Sequence, residues 1–181
     1  ACNALGHCHP KIIAAAETQL HTLIHAGHNV LYYEPYTTLV EKLVEKTGGK
    51  YKVYFSNAGA EANEGAMKLA KYATHRPVII SMKNAFHGRT MATATITTSN
   101  AAYRKYYEPM MPSVYFAEYP YLFRTPYKME DGKCPKEYMT QFDDLFKKVV
   151  DPSMVAGIIM EPIQGEGGYV APPVEWLQYV R

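Results

Sequence analysis

The sequence predicts an α/β fold: a mostly parallel sheet flanked by helices. Short β-branched runs at 77–81, 113–117 and 155–160 are separated by longer stretches of helical period. The last run, Val155-Ala156-Gly157-Ile158-Ile159-Met160, is apolar throughout, as expected of a strand covered by helices on both faces. Strands that alternate with helices imply parallel neighbours, because a parallel crossover needs a helix-length connection.

The elements follow in order. A stripe of Ile12, Ile13, Ala16, Leu20, Leu23 and Ile24 predicts a helix over 11–25, with Pro10 in its first turn and Gly27 closing it. Tyr32-Tyr33-Glu34-Pro35-Tyr36 reads as an aromatic turn. Leu39, Val40, Leu43 and Val44 predict a second helix over 37–46, stopped by Gly48-Gly49. The period then changes. Residues 51–55 read as a strand, 56–59 as a turn, and the Ala-rich 61–72 as a strong helix. The strand at 77–81 leads to a turn at 85–89 and to the Thr/Ala-rich 90–98. The strand at 113–117 leads into 118–135, which is rich in Tyr and Pro, has no period and reads as a long loop. An amphipathic helix over 137–150 precedes the apolar strand at 155–160 and a glycine-rich polar turn at 161–168. The last residues read as a helix.

Composition narrows the function. The 181 residues hold 19 basic and 17 acidic side chains, a net charge of +2, with 48% hydrophobic and 20% charged residues. These values suit an ordinary globular chain. They argue against a nucleic-acid binder, and no Lys/Arg block reverses that. No apolar run reaches bilayer-spanning length, so no membrane partner is expected. No secretory leader is visible. Cys2, Cys8 and Cys134 cannot all pair with one another, so a disulfide scaffold is disfavoured and a reducing cytoplasm is expected.

Three segments could carry chemistry. In Phe55-Ser56-Asn57-Ala58-Gly59-Ala60-Glu61-Ala62-Asn63-Glu64, a strand enters a small-residue turn and a helix leaves it. Unpaired N–H groups and the positive dipole end would face any anion there, and small side chains at 58–60 let a phosphate approach. An ordinary βα turn suits the same residues. The segment is neither a P-loop nor a dinucleotide fingerprint. Glu161-Pro162-Ile163-Gln164-Gly165-Glu166-Gly167-Gly168 follows the most hydrophobic strand. Ligands collect at strand carboxyl ends in open α/β sheets, so Glu161 could orient a cofactor, pair with an arginine or hold a metal; a solvated loop is the plainer alternative. In Phe86-His87-Gly88-Arg89-Thr90, Phe86 could face a flat ligand and Arg89 could bind a carboxylate; taken alone, the segment reads first as a core Phe and a surface Arg.

His7-Cys8-His9 invites a metal reading, but no second ligand cluster accompanies it, and no metal is expected. His21, His25 and His28 would share a helix face and its exit, for packing or solvent. Tyr103, Tyr106 and Tyr107 read as packing residues.

Taken together, these segments resemble the class III aminotransferases, pyridoxal phosphate (PLP) enzymes of fold type I. Leu5-Gly6-His7-Cys8-His9-Pro10, the turn at 55–62, the segment at 86–90 and the segment at 161–168 stand in family order over nearly the whole chain. Tyr33-Glu34-Pro35-Tyr36 and the Glu161/Glu166 pair look most like 4-aminobutyrate aminotransferases. Acetylornithine and ornithine aminotransferases are near relatives, and class III amino-acid racemases use the same cofactor residues.

The resemblance implies roles. Backbone groups at Gly59 and Ala60 would hold the PLP phosphate, Phe86 would stack on the pyridine ring, and Glu161 would lie beside the cofactor. Many family members carry Ser or Thr at the position of Ala60, so one hydroxyl donor is absent here. In the 4-aminobutyrate branch the residue matching Glu166 pairs with an arginine and swings aside for a dicarboxylic substrate, and in the acetylornithine branch the residue matching Arg89 contacts the substrate. The family's Asp-Glu-Val/Ile-Gln motif, its Schiff-base lysine and its C-terminal substrate arginine are not among these residues, and none of the 14 lysines matches the catalytic position. The resemblance therefore implies a fragment, inactive alone. Residues 1–36 would be the N-terminal segment of a small domain and its linker, and 37–181 an incomplete PLP-binding large domain. The parent would move an amino group from an ω-amino acid such as 4-aminobutyrate to 2-oxoglutarate, as a homodimer or larger homo-oligomer. A reading of another class is a non-catalytic domain that binds a phosphate ligand or pairs with another chain.

Overall fold

The computed structural model describes residues 3–28 and 30–181. The chain forms two compact units, Ala1–Tyr54 and Phe55–Arg181.

The first unit carries helices α1 (Pro10–Thr22) and α2 (Glu34–Lys46). In α1 the His9 ring accepts the Lys11 N–H at 3.3 Å, and Pro10 occupies the first turn. The helix ends before the expected residue 25 and without help from Gly27. Leu23 is already extended, and its carbonyl accepts the Gln19 side-chain amide at 2.6 Å. His25 and His28 therefore lie beyond the helix, their rings edge to face at 6.2 Å. Helix α2 begins three residues ahead of the expected start. Pro35 lacks an N–H and has a preset φ, which suits a first helical turn. The strand expected over 51–55 does not form. Its residues alternate correctly, but a strand needs a ladder partner, and the sheet pairs only three later segments among the described residues.

The second unit is built on a parallel sheet of order β2-β1-β3, with β1 (Val78–Met82), β2 (Val114–Ala117) and β3 (Val155–Ile159). Ile80 lies opposite Tyr115 on one side and Ile158 on the other. The central strand is buried along its whole length. Its period-two alternation feeds two cores. Val78, Ile80 and Met82 join Tyr119, Tyr138, Phe142 and Trp176 on one side; Ile79 joins Met67 and Ile96 on the other.

The helices of this unit are α3 (Gly59–Thr74), α4 (Met91–Thr95), α5 (Glu137–Lys148) and α6 (Val174–Val180). Met67 of α3 fills one core. Tyr138 and Phe142, one turn apart on α5, fill the other, where the Trp176 indole N–H donates to the Tyr138 carbonyl at 3.0 Å. Helix α4 is absent from the sequence expectation because it is only five residues long and two of them are β-branched threonines. A reciprocal capping box between Thr90 and Thr93 stabilises it. Between Tyr119 and Pro135 the chain is irregular apart from a 3₁₀ turn at Leu122–Arg124. Cys8 and Cys134 are free thiols.

Candidate active site

Parallel strands place the carboxyl ends of β1 and β3 on one edge of the sheet, and the three chemistry-bearing segments meet there. The first is the start of α3. Its N-cap, Ala58, offers no side-chain hydrogen bond. Glu61 turns back to accept the Asn57 N–H at 2.8 Å. The first amides of the helix are left for a ligand or solvent, at the positive end of the dipole. A Cβ built on Gly59 would meet nothing within 4 Å, so that side is open.

The Phe86 loop lies directly on this turn. Gly88 has φ +133°, and a Cβ there would sit 2.6 Å from Ala60 Cβ and 2.7 Å from Thr93 Oγ1. Only glycine fits both the backbone conformation and the contact. The Asn63 side-chain amide donates to the His87 carbonyl at 2.8 Å, and the Thr90 hydroxyl donates to Glu64 at 2.5 Å. From below, the His87 N–H donates to Thr97 Oγ1 at 2.9 Å. Phe86 is thereby held half-buried beside the α3 terminus.

Glu161 ties this loop to the third segment. One carboxylate oxygen accepts the Phe86 N–H and the other accepts the Gly165 N–H, both at 2.9 Å. Gln164, fully buried, donates to the Lys83 carbonyl at 2.8 Å. Gly167 approaches Asn84 so closely that a Cβ would lie 2.6 Å from the Asn84 carbonyl oxygen. The Tyr119 hydroxyl points among the carbonyls of Glu161, Pro162 and Val170, at 3.1, 3.2 and 3.4 Å. Burial, with the Glu161 charge adding to it, pushes this phenol up to about 12, so it stays a hydrogen-bond donor near neutrality.

His87 is 6% exposed, and its Nε2 has no partner. Burial pulls its imidazole below the ordinary value against an opposing pull from Glu161. The sign follows from linkage. The unfolded state binds the proton more readily, so stability falls as pH drops through the ordinary imidazole range and below. We expect the melting temperature of the whole protein to decline on that limb. A His87→Gln variant should show a shallower decline; an unchanged slope would remove His87 from the account.

The third cluster lies beside Phe86. The Tyr103 hydroxyl donates to Glu166 at 2.7 Å, and its ring meets the Phe86 ring edge to face at 5.3 Å. The Arg89 guanidinium sits over the Tyr103 ring at 4.8 Å and lies 6.0 Å from the Phe86 ring centroid. Thus Phe86 and Glu161 are joined by a hydrogen bond, Ala60 lies against the same loop at Gly88, Gly59 adjoins Ala60 in the chain, and Arg89 and Glu166 meet at Tyr103. Sequence reading set Tyr103 aside as packing. Asn63 and Glu64 were also missed, although they lie three and four residues after Ala60 and so share its helix face. Lys83, three residues before Phe86, is ion-paired with Glu118. No group of three or more His, Cys, Asp or Glu able to hold a metal occurs among the described residues. No helix among them is long and apolar enough to cross a membrane.

The family model for Aminotransferase class-III matches residues 1–181. The chain belongs to the class III aminotransferases. A probable 4-aminobutyrate aminotransferase of Bacillus subtilis is 39% identical over 178 residues, covering 97% of this chain and 41% of that protein. An alanine/serine racemase of Pyrococcus horikoshii is 31% identical over 182 residues, covering 97% of this chain and 38% of that protein. Among solved structures, taurine:2-oxoglutarate aminotransferase from Bifidobacterium kashiwanohense, in complex with PLP and glutamate, superposes with TM-score 0.88 at 26% identity. That match covers 99% of this chain and 41% of the other. This class III chain thus spans about two fifths of the length of the curated relatives it matches. The α/β unit with its parallel sheet is the class III fold over that portion.

Proposed function

We propose that the whole protein is a PLP-dependent aminotransferase of the 4-aminobutyrate type. It would pass an amino group from an ω-amino acid to 2-oxoglutarate, as a cytoplasmic homodimer or larger homo-oligomer. The observation that carries this reading is the meeting of the uncapped α3 terminus, the Phe86 loop and Glu161 at one sheet edge, in a chain of this family. The residues fit the cofactor: an anion finds amides without a side-chain cap and an open approach at Gly59. When bound, PLP supplies an electron sink for carbanion chemistry. In this reading residues 1–36 belong to a small domain and linker, and 37–181 to the cofactor-binding large domain.

The residues of this chain bind and orient. The Gly59 and Ala60 amides would hold the phosphate, with no hydroxyl at Ala60 to assist. The Phe86 ring would pack against the cofactor ring, held by its own N–H on Glu161. Arg89 and Glu166 would read substrate carboxylates. A site that accepts a monocarboxylic amine in one half-reaction and a dicarboxylic acid in the other needs a movable negative charge, and the exposed Glu166 suits that task. No lysine of this chain is assigned the proton transfer, so residues 1–181 alone are expected to be inactive.

Purified full-length protein tests the reading. We expect a visible cofactor absorption band and transfer from 4-aminobutyrate to 2-oxoglutarate. Racemisation of an amino acid with no oxo-acid acceptor would overturn it in favour of a class III racemase. A second reading, an acetylornithine or ornithine aminotransferase, draws on Arg89 lying within the cluster, and faster turnover of those amines would favour it. Within the leading reading, Glu166→Ala should lower kcat/KM for 4-aminobutyrate about tenfold more than for glutamate, the size of one charge-assisted contact. Equal losses would refute the switch.

A further inference from the structure

We propose that Gln164 is a specificity-determining positioning residue: it fixes the backbone that carries Glu166, so that Glu166 changes partner by rotating its side chain and not by moving its loop. The inference rests on the reading of Glu166 as the movable charge. Residues 161–170 form a largely exposed loop with glycine at 165, 167 and 168, a composition that favours mobility. Gln164 is nevertheless 2% exposed. A buried amide is costly unless it is paired. Its side chain donates to the Lys83 carbonyl at 2.8 Å. Lys83 directly follows β1, and its own N–H donates to the Ala117 carbonyl at 2.8 Å, continuing the ladder with β2. The loop is therefore moored to the central strand of the sheet.

The turn around Glu166 is closed on itself as well. Gln164 and Val170 exchange both backbone hydrogen bonds at 2.9 Å. Between them the Gly165 carbonyl accepts the Gly168 and Tyr169 N–H groups at 3.0 and 3.1 Å. Gly167 is pressed against the exit of β1: a Cβ there would lie 2.6 Å from the Asn84 carbonyl oxygen and 2.8 Å from Gln164 Oε1. Fixed points thus stand on both sides of Glu166, whose side chain is exposed. Other contacts reach this region but do not replace the mooring. The Tyr103 hydroxyl bonds the Glu166 carboxylate itself, and that bond breaks whenever the carboxylate changes partner. Glu161 bonds the Gly165 N–H but also holds the Phe86 N–H, so it serves the cofactor loop. The Tyr119 hydroxyl reaches carbonyls at the two ends of the loop, outside the turn. Gln164 ties the turn to β1 without passing through the moving carboxylate or the cofactor residues. Rotation on a fixed backbone keeps the charge within reach of its positions, whereas a misplacement of about 1 Å can cost about 100-fold.

Gln164→Met tests this in the full-length holoenzyme, because it nearly keeps the side-chain volume and removes the donor. A misplaced Glu166 acts like an absent one. We therefore expect kcat/KM for 4-aminobutyrate, relative to that for glutamate, to fall about fivefold, the worth of one neutral hydrogen bond. PLP affinity should stay within about threefold of the parent, since the Glu161–Phe86 bond is untouched. In a Glu166→Ala background the same substitution should change the substrate ratio by less than about twofold, because it acts through Glu166. Equal losses for the two substrates, or the same fall in both backgrounds, would overturn the positioning role. Gly167→Ala reaches the turn from its other side and carries the same comparison if Gln164→Met does not fold. A second readout is independent of turnover. Amide hydrogen exchange of the parent holoenzyme should give Gln164 and Val170 the same protection with and without saturating glutarate, a dicarboxylate that has neither an amine nor an oxo group. A loss of protection beyond about tenfold on adding glutarate would mean that the loop moves, and overturns the proposal. Glu166→Ala separates the two levels of the reading. If it changes the substrate ratio while Gln164→Met and Gly167→Ala do not, the switch stands and the Gln164 proposal is overturned. If Glu166→Ala leaves the ratio unchanged, the switch reading fails and the Gln164 proposal fails with it.

Discussion

Replacing Gly88 with alanine is expected to cost about 4 kcal/mol, from overpacking and left-handed backbone strain together. The new Cβ would sit 2.6 Å from Ala60 Cβ, 2.7 Å from Thr93 Oγ1 and 3.0 Å from Ala60 Cα. None of these is the far end of a flexible side chain. Ala60 is fixed in the first turn of α3, and Thr93 in the capping box of α4. Relief therefore requires the Phe86 loop to lift off the α3 terminus, which would separate the ring from the amides proposed to hold the phosphate. Denaturant unfolding of the whole protein should show the stability loss, and the holoenzyme should release its cofactor on dilution. Gly157→Ala is the control. Its nearest neighbour is Ala70 Cβ at 3.9 Å, and its φ is ordinary, so it should stay within about 1 kcal/mol of the parent. Equal stability of the two variants would show that the close approach at Gly88 is not rigid.

Glu161→Ala is expected to lower cofactor affinity about 100-fold or more, since each hydrogen bond to a charged group is worth about 1.5–3 kcal/mol and two are lost. The carboxylate bridges the Phe86 and Gly165 amides. Its removal leaves two half-buried N–H groups without an acceptor and unties the loop that presents the ring from the loop that presents Glu166. Glu161→Gln should fall between the two, because it keeps one oxygen acceptor but points an N–H₂ at the other amide. Equilibrium titration of the apoenzyme with PLP measures the effect. Retention of affinity within about threefold in Glu161→Ala, under half of the smallest single hydrogen bond named above, would mean that Glu161 does not hold the site together.

The two variants also show how much was legible beforehand. The short apolar runs at 77–81 and 155–160 and the helical stripe over 137–150 identified β1, β3 and α5, because packing onto both faces of a sheet leaves a direct imprint on residue order. Gly59, Ala60 and Phe86 could be singled out because small residues at a helix start and a ring in a turn have local chemical meaning. Strand-end position marked Glu161. The failures have equally local causes. Residues 51–55 carry strand alternation, but alternation does not supply a partner. Helix α4 follows from a threonine capping box that outweighs weak propensity. Helix α1 stops at Thr22 because a glutamine side chain takes up the Leu23 carbonyl.

By itself, then, the sequence determined the α/β class, the parallel order of strands and helices, the absence of any bilayer-length apolar run and the motif series of the class III aminotransferases. These depend on period, composition and neighbours in the chain. Only the tertiary structure decided which acceptor the Phe86 amide uses, why Gly88 admits no side chain, and that Tyr103 touches both Arg89 and Glu166. Those contacts join residues 75, 28 and 63 positions apart (Phe86 to Glu161, Ala60 to Gly88, Tyr103 to Glu166). A parallel sheet brings them to one edge because its strands all end there, and no pattern of neighbouring residues encodes which side chain will then face which.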